Sequence, residues 1–401
     1  MLELLQSATL ASENGHWSAV IHDLYQLPSQ KRGNREEFLL ETEAAQQSLD
    51  LALGVLEGGD FQERWEIAKL WSKLGETAIA PVITLLRDEE ADWEARWFAA
   101  RILGQFEHPD AIAALVETLQ TSEDEELASI AATVLASFGS RAVEILAQLL
   151  EGDETRELAA RSLSQIRCVE TVDPLLTLVK DINTELRTIA IEALSSFRDS
   201  RIPPILIEAL SDRAAAVRKE AAIGLGLHPQ LAPTLNLTSH LKPLLYDLDE
   251  AVQTAAANAL GRIGTPDAAI FLFEALIDEA NSFSLQKSLI HALVWVETSE
   301  NLELLRQALP FVPPLCVEEI IKVLGRVKSP DLRPQAAQIL LEINCERGVR
   351  AIALKQALAR AWGQLQHESA IAALQQLRLD ADQRVRLHAI AALKHFPSFV
   401  A

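Results

Sequence analysis

Three sets of residues in this 401-residue chain have types and spacings that could carry chemistry. The first is a series of acid–base pairs. Asp181 stands six residues before Arg187, Asp212 six before Arg218 and Asp380 six before Arg386, while Asp247 stands six before Gln253. Oppositely charged side chains at one fixed spacing suit ion pairing, and they read as a structural ladder, not as catalytic groups. The second set is a tryptophan cluster. Trp65, Trp71, Trp93 and Trp97 account for four of the seven tryptophans, with Arg96 and Arg101 beside them. Trp and Arg are favoured anchors at interfaces. Trp97 is read as an interface residue and Trp71 as a core filler. The third set is nine His and three Cys. The His are dispersed singly, and Cys168, Cys316 and Cys345 lie far apart without a CxxC, so they read as free thiols. No P-loop, strand-borne GxGxxG, GxSxG, HExxH or EF-hand loop occurs. No catalytic residue, resident cofactor or metal ligand is expected.

Composition narrows the partners. Lys and Arg number 36 against 57 Asp and Glu, a formal net charge of −21. That balance argues against general nucleic-acid binding, which needs a basic face to displace counterions. The longest uncharged stretch, residues 221–241, is broken by Gly224, Gly226, Pro229 and Pro233, so no membrane insertion is expected. The N-terminus has no basic region ahead of an apolar core, and the three scattered cysteines fit a reducing cytoplasm. Apolar residues make up 49% but aromatics only 5%, so the core must be built from Leu, Ala, Ile and Val.

The elements that position these residues come from an internal repeat. Arg96–Gly104, Arg218–Gly226, Gln253–Gly261 and Arg386–Lys394 align on an Arg-like position, a pair of small residues and a Leu-Gly or its equivalent. The ruler residue falls at Leu74, Leu103, Leu135, Leu163, Leu194, Leu225, Leu260, Leu293, Leu324, Trp362 and Leu393, at intervals of 28 to 38 that cluster near 31. Each repeat reads as two amphipathic helices, with apolar residues at i, i+3, i+4 and i+7. Gly, Pro, Asp and Ser mark the breaks. The long intervals after Leu225 and Leu324 predict bulges near His228–Ser239 and Cys345–Arg350.

The Asp-x5-Arg and Ala-Ala-x-x-Leu-Gly features resemble the HEAT-like repeat family, most closely the short form typified by the phycobilisome lyases of cyanobacteria. The resemblance covers about Asp60 to the C-terminus. It implies an all-α fold: a right-handed α-solenoid of about eleven HEAT-like helix pairs. Residues 1–58 are expected to form an N-terminal helical cap, and 59–401 one continuous repeat domain. The iron centre that HEAT-like repeats hold in deoxyhypusine hydroxylase demands several His-Glu pairs. His367-Glu368 is the single pair in this chain, so iron hydroxylation is not expected.

In such a solenoid the helix carrying the ruler lines a concave face. Positions six and two before the ruler then point into the groove. Six of these are basic (Arg101, Arg161, Lys219, Lys287, Lys322, Arg360) and three acidic (Glu157, Glu192, Glu318), the inverse of the whole-chain balance. With Trp93, Trp97 and His291 they form the candidate binding groove, suited to an acidic partner. Two functions compete. One is a non-catalytic scaffold or assembly chaperone; the resemblance implies an acidic phycobiliprotein as its protein client. The other is a bilin lyase or lyase subunit. It would hold the tetrapyrrole as a transient ligand through Arg101, Arg161 or Lys219 and the walls of Trp93 and Trp97, with Glu157 as the acid.

Overall fold

The computed structural model describes residues 2–27, 35–346 and 351–396. Regular structure among the described residues is entirely helical, with 26 α-helices joined by short loops and 3-10 turns. The chain divides into two compact units, residues 1–194 and 195–401.

The first unit opens with three mutually packed helices, Leu2–Glu13, Trp17–Tyr25 and Arg35–Gly58. Helix Phe61–Ala68 follows and packs against both Arg35–Gly58 and Trp93–Leu103. Asp60 starts it with a reciprocal capping box to Glu63, satisfying two end N–H groups. Four helix pairs complete the unit, their second members being Trp93–Leu103, Glu125–Ser137, Arg156–Gln165 and Thr184–Leu194. These second helices pack in sequence, each on the next. The second unit repeats the plan with six pairs. Their second helices are Ala215–Gly226, Glu250–Ile263, Phe283–Leu293, Pro314–Leu324, Ile352–Leu365 and Gln383–Leu393, again packed consecutively. Within each unit this is the layered stacking of an α-solenoid.

The ruler residues are the core of that stack. Leu103, Leu135, Leu163 and Leu194 in the first unit, and Leu225, Leu260, Leu293, Leu324 and Trp362 in the second, are completely buried. Each buried leucine contributes about 1.5–3 kcal/mol relative to exposure. Leu74 is half-buried, because the first ruler helix is split into Phe61–Ala68 and the single turn Trp71–Leu74. There Trp71 takes the core position, fully buried. The Gly after the ruler sets helix spacing. A Cβ on Gly261 would lie 2.7 Å from the Ala292 carbonyl oxygen, and one on Gly325 would lie 2.6 Å from Ala361 Cα. Only hydrogen fits there, so one ruler helix lies directly on the alanine of the next.

The Asp-x5-Arg spacing joins the two helices of a pair by a route other than a direct carboxylate–guanidinium bond. The basic side chain seven residues before the ruler reaches back to carbonyls at the end of the preceding helix. Arg187 Nη1 donates to the Asp181 carbonyl at 2.8 Å, Arg218 Nη1 to that of Asp212 at 2.8 Å and Arg386 Nη1 to that of Asp380 at 2.9 Å. Gln253 does the same to Asp247 at 2.7 Å, so an amide can replace the guanidinium at this bond. The Asp carboxylate instead accepts the N–H two residues on, as Asp181, Asp212 and Asp380 do from Asn183, Ala214 and Asp382. The pairing between neighbours is offset by one repeat. Arg156 meets Asp181 at 3.5 Å, Arg218 meets Asp247 at 2.7 Å and Lys355 meets Asp380 at 2.5 Å.

The extra residues after Leu225 break the outer helix of their pair. It runs as a 3-10 turn at Pro229–Leu231, a helical turn at Ala232–Leu235, Asn236 in the left-handed region (φ 48°) and the short helix Leu237–Leu241. The second expected bulge falls partly on residues 347–350, outside the described residues.

Candidate functional site

In the first unit two of the four clustered tryptophans, Trp65 and Trp97, join a patch on two adjacent helices. Phe61 and Trp65 lie on Phe61–Ala68, and Trp97 and Arg101 lie on Trp93–Leu103. Trp97 and Arg101 are four residues apart and so share one helix face. The Arg101 guanidinium sits 4.3 Å from the centroid of the Trp65 ring and 5.7 Å from that of Trp97. Phe61 stacks on Trp65 at 6.2 Å, and Phe98 anchors the rings from below, edge-on to Trp97 at 5.1 Å. Phe98 is fully buried, whereas Phe61 and Trp93 are about half exposed, at 53% and 48%. Arg101 is exposed and has no ion pair with any described residue. The acids nearby in sequence, Asp92 and Glu94, are held by the buried Arg64 at 2.5 and 2.8 Å.

The other groove base of this unit is neutralised. Arg161 Nη2 meets Glu157 at 2.9 Å and Glu185 at 3.0 Å. The hydrogen bond to Glu157 holds the Arg161 pKa above its ordinary value. Glu157 is therefore occupied as an ion-pair partner, which counts against its service as a free acid.

In the second unit the four predicted bases occupy four of the six ruler helices, with helix Glu250–Ile263, which carries Thr254 and Asn258 instead, between those of Lys219 and Lys287. Lys219 meets Glu220 at 2.8 Å, and Lys322 meets Glu318 at 3.0 Å and Glu319 at 3.3 Å. The hydrogen bond that Lys322 donates to Glu318 raises the Lys322 pKa. His291 is a partner of the buried Glu319, donating from Nε2 at 2.8 Å. Burial pushes Glu319 up, but the hydrogen bonds from His291 and Lys322 outweigh it and hold the carboxyl below its usual value. Lys287 is exposed without an ion pair to a described residue, and among the described residues Arg360 donates to the Gln356 carbonyl alone, at 3.3 Å. A cleft between helices Ala215–Gly226 and Glu250–Ile263 gathers four of the predicted groove positions: Lys219, Ile223, Thr254 and Asn258.

Arg262, which lines this cleft, and its ring partner Trp295 escaped the sequence reading. Arg262 lies over the Trp295 ring at 5.2 Å, and Trp295 is 57% exposed. Both stand two residues after their ruler, so a register extended past the Leu-Gly would have paired them. Among the described residues no group of three or more His, Cys, Asp or Glu side chains could hold a metal ion, and no helix is long and apolar enough to cross a membrane.

The family profile for HEAT repeats matches residues 79–157, 143–226, 203–293 and 238–311, together more than half of the chain. The chain belongs to the HEAT-repeat family. No curated protein matches this HEAT-repeat protein. Among solved structures it is similar to importin beta, with a TM-score of 0.53 and 17% identity over 97% of this chain and 59% of that one. It is similar also to Kap95p, in a structure describing Kap95p binding to RanGDP, with a TM-score of 0.55 and 12% identity over 98% and 60% of the two chains. The HEAT-repeat protein thus spans about three fifths of either chain, and at these identities the likeness is one of fold. The CpcE–CpcF complex of phycocyanin lyase from Nostoc aligns with a TM-score of 0.29 and 17% identity, over 66% of this chain and 98% of that one. That overlap is too loose to carry an argument about function.

Proposed function

We propose that this HEAT-repeat protein is a non-catalytic interaction scaffold that holds a protein client on the exposed face of its ruler helices. The observation that carries this reading is the Phe61–Trp65–Trp97–Arg101 patch. Large rings on rigid helices, with a guanidinium stacked on them and no acid consuming its charge, have the composition of an interface anchor. A buried ring system fixes the outer rings through Phe98, so little side-chain entropy is left to lose on binding. Arg101 supplies specificity for a carboxylate on the client.

The client to test first is an acidic phycobiliprotein, because the repeat signature resembles that of the phycobilisome lyases; the same resemblance suggests a cyanobacterial, cytoplasmic setting. The bilin-lyase alternative finds less support, since Glu157 is engaged by Arg161 at 2.9 Å. Titration with a free bilin, followed by absorbance, separates the two. The scaffold reading expects no saturable spectral shift, together with binding of a purified phycobiliprotein that Trp97→Ala abolishes. A saturable shift lost in Arg101→Ala would instead establish the chromophore-handling reading.

A further inference from the structure

The cleft in the second unit has a volume of about 540 Å³, within the range of ligand sites. Its two helices are in close contact. A Cβ on Gly226 would stand 2.9 Å from Ala259 Cα. The floor is therefore shallow and apolar, with buried Ala255 and Ala259, and Ile223 adds an apolar wall. Asn258, four residues after Thr254 on the same helix, is exposed, and its amide makes no hydrogen bond to a described residue.

Charge is unequal along the cleft. Glu250 and Arg262 lie twelve residues apart on helix Glu250–Ile263, about 18 Å along its axis. That exceeds the Debye length of about 8–10 Å at ordinary ionic strength, so Glu250 does not neutralise Arg262. Glu250 also accepts the Ser282 hydroxyl at 3.0 Å, and Lys219 beside it is held by Glu220. The anion-receptive end is that of Arg262, which has no ion pair with a described residue and lies over the exposed indole of Trp295. The ring contact holds the guanidinium at 5.2 Å from the indole centroid without consuming its charge, so its N–H groups can serve a carboxylate.

We propose that this cleft binds an extended acidic peptide segment, with a carboxylate on Arg262 and a backbone peptide group on Asn258. An extended chain rises about 3.3 Å per residue, so the 18 Å axis accommodates about five residues. Its alternating side chains place every second residue on the alanine floor, where small apolar groups fit. The amide of Asn258 offers both the donor and the acceptor that a peptide group pairs with. The site is built wholly from residues of the second unit, and the proposal does not depend on the aromatic patch of the first.

The test is fluorescence anisotropy with a labelled octapeptide of alternating Ala and Asp, and its Ala/Asn counterpart. The Ala/Asp peptide is expected to bind saturably, and the Ala/Asn peptide at least tenfold more weakly. Arg262→Gln is expected to weaken binding by about tenfold, as loss of a charge-assisted contact implies. Arg262→Lys restores it only in part, and Asn258→Ala weakens both peptides. Arg326→Gln leaves affinity unchanged, Arg326 being an exposed arginine in the same register two ruler helices on. Circular dichroism and urea midpoints confirm that each variant folds. Absence of saturable binding overturns the proposal, as does equal affinity for the two peptides. Equal loss in Arg326→Gln and Arg262→Gln reduces the effect to bulk charge and also overturns it, and displacement by equimolar succinate removes the claim for a peptide.

Discussion

Arg218 offers the sharpest test of how the repeats are joined. Its Nε and Nη2 donate to the two Asp247 oxygens, each at 2.7 Å, while Nη1 donates to the Asp212 carbonyl at 2.8 Å. Gln253 shows that an amide at the same register keeps the carbonyl bond. Arg218→Gln therefore removes the ion pair alone, and Arg218→Ala removes both. The two charged side chains retain only 17% and 11% of their exposure, so water screens the pair poorly. Hydrogen bonds to charged groups contribute about 1.5–3 kcal/mol, and a carbonyl left unsatisfied costs about 1 kcal/mol more. We expect losses of about 2 kcal/mol for Arg218→Gln and about 3 kcal/mol for Arg218→Ala. Urea unfolding followed by circular dichroism would measure them, with slopes compared because repeat arrays need not unfold in one step. The pH dependence has a definite sign. The Arg218 hydrogen bond holds the Asp247 carboxyl below its ordinary 3.8. Its stabilisation is fully present above the unfolded-state value and is lost as pH falls through the lower folded value. The Arg218→Gln penalty should thus be constant from neutral pH to about 5 and shrink below about 4. Equal penalties for Gln and Ala, or a Gln penalty indifferent to acid, would refute this reasoning.

Two further outcomes follow from packing. Gly325→Ala places a methyl against Ala361 backbone and should cost about 1–3 kcal/mol, read as a lowered urea midpoint; the same change at exposed Gly152, whose Cβ would meet a threonine side chain, should cost less. Thiol labelling should proceed in the order Cys345, Cys168, Cys316. Cys345 is exposed, whereas burial pushes the Cys316 thiol up to about 11 and its Sγ is held by Gln286 at 3.1 Å; Cys316 should therefore react only on unfolding.

The fold was legible because its signal repeats. Leu-Gly at a near-constant interval reports a buried side chain beside a helix contact that excludes a methyl, and both show directly in composition. The ladder was legible as a spacing but not as a bonding pattern. Asp181 and Arg187 meet through a backbone carbonyl, and the ion pair runs to the next repeat, a distance no local spacing encodes. Groove charge was harder to read. Position alone marks Arg161, Lys219 and Lys322 as outward-facing cations, yet each has a glutamate within 3 Å. Glu157 and Glu318 stand at the counted positions, but a tally of charges does not reveal that they pair with Arg161 and Lys322, and Glu185, Glu220 and Glu319 lie outside those positions altogether. Arg101 kept its charge because its neighbours are rings, and Arg262 went unseen because it lies beyond the ruler.

The central claim is that a client sits on the aromatic patch, and hydrogen exchange of the protein with and without a bound phycobiliprotein tests it most directly. The account predicts protection concentrated in helices Phe61–Ala68 and Trp93–Leu103, and loss of binding in Trp97→Ala. Absence of binding, or binding with protection confined to other helices and unchanged by Trp97→Ala, would contradict it.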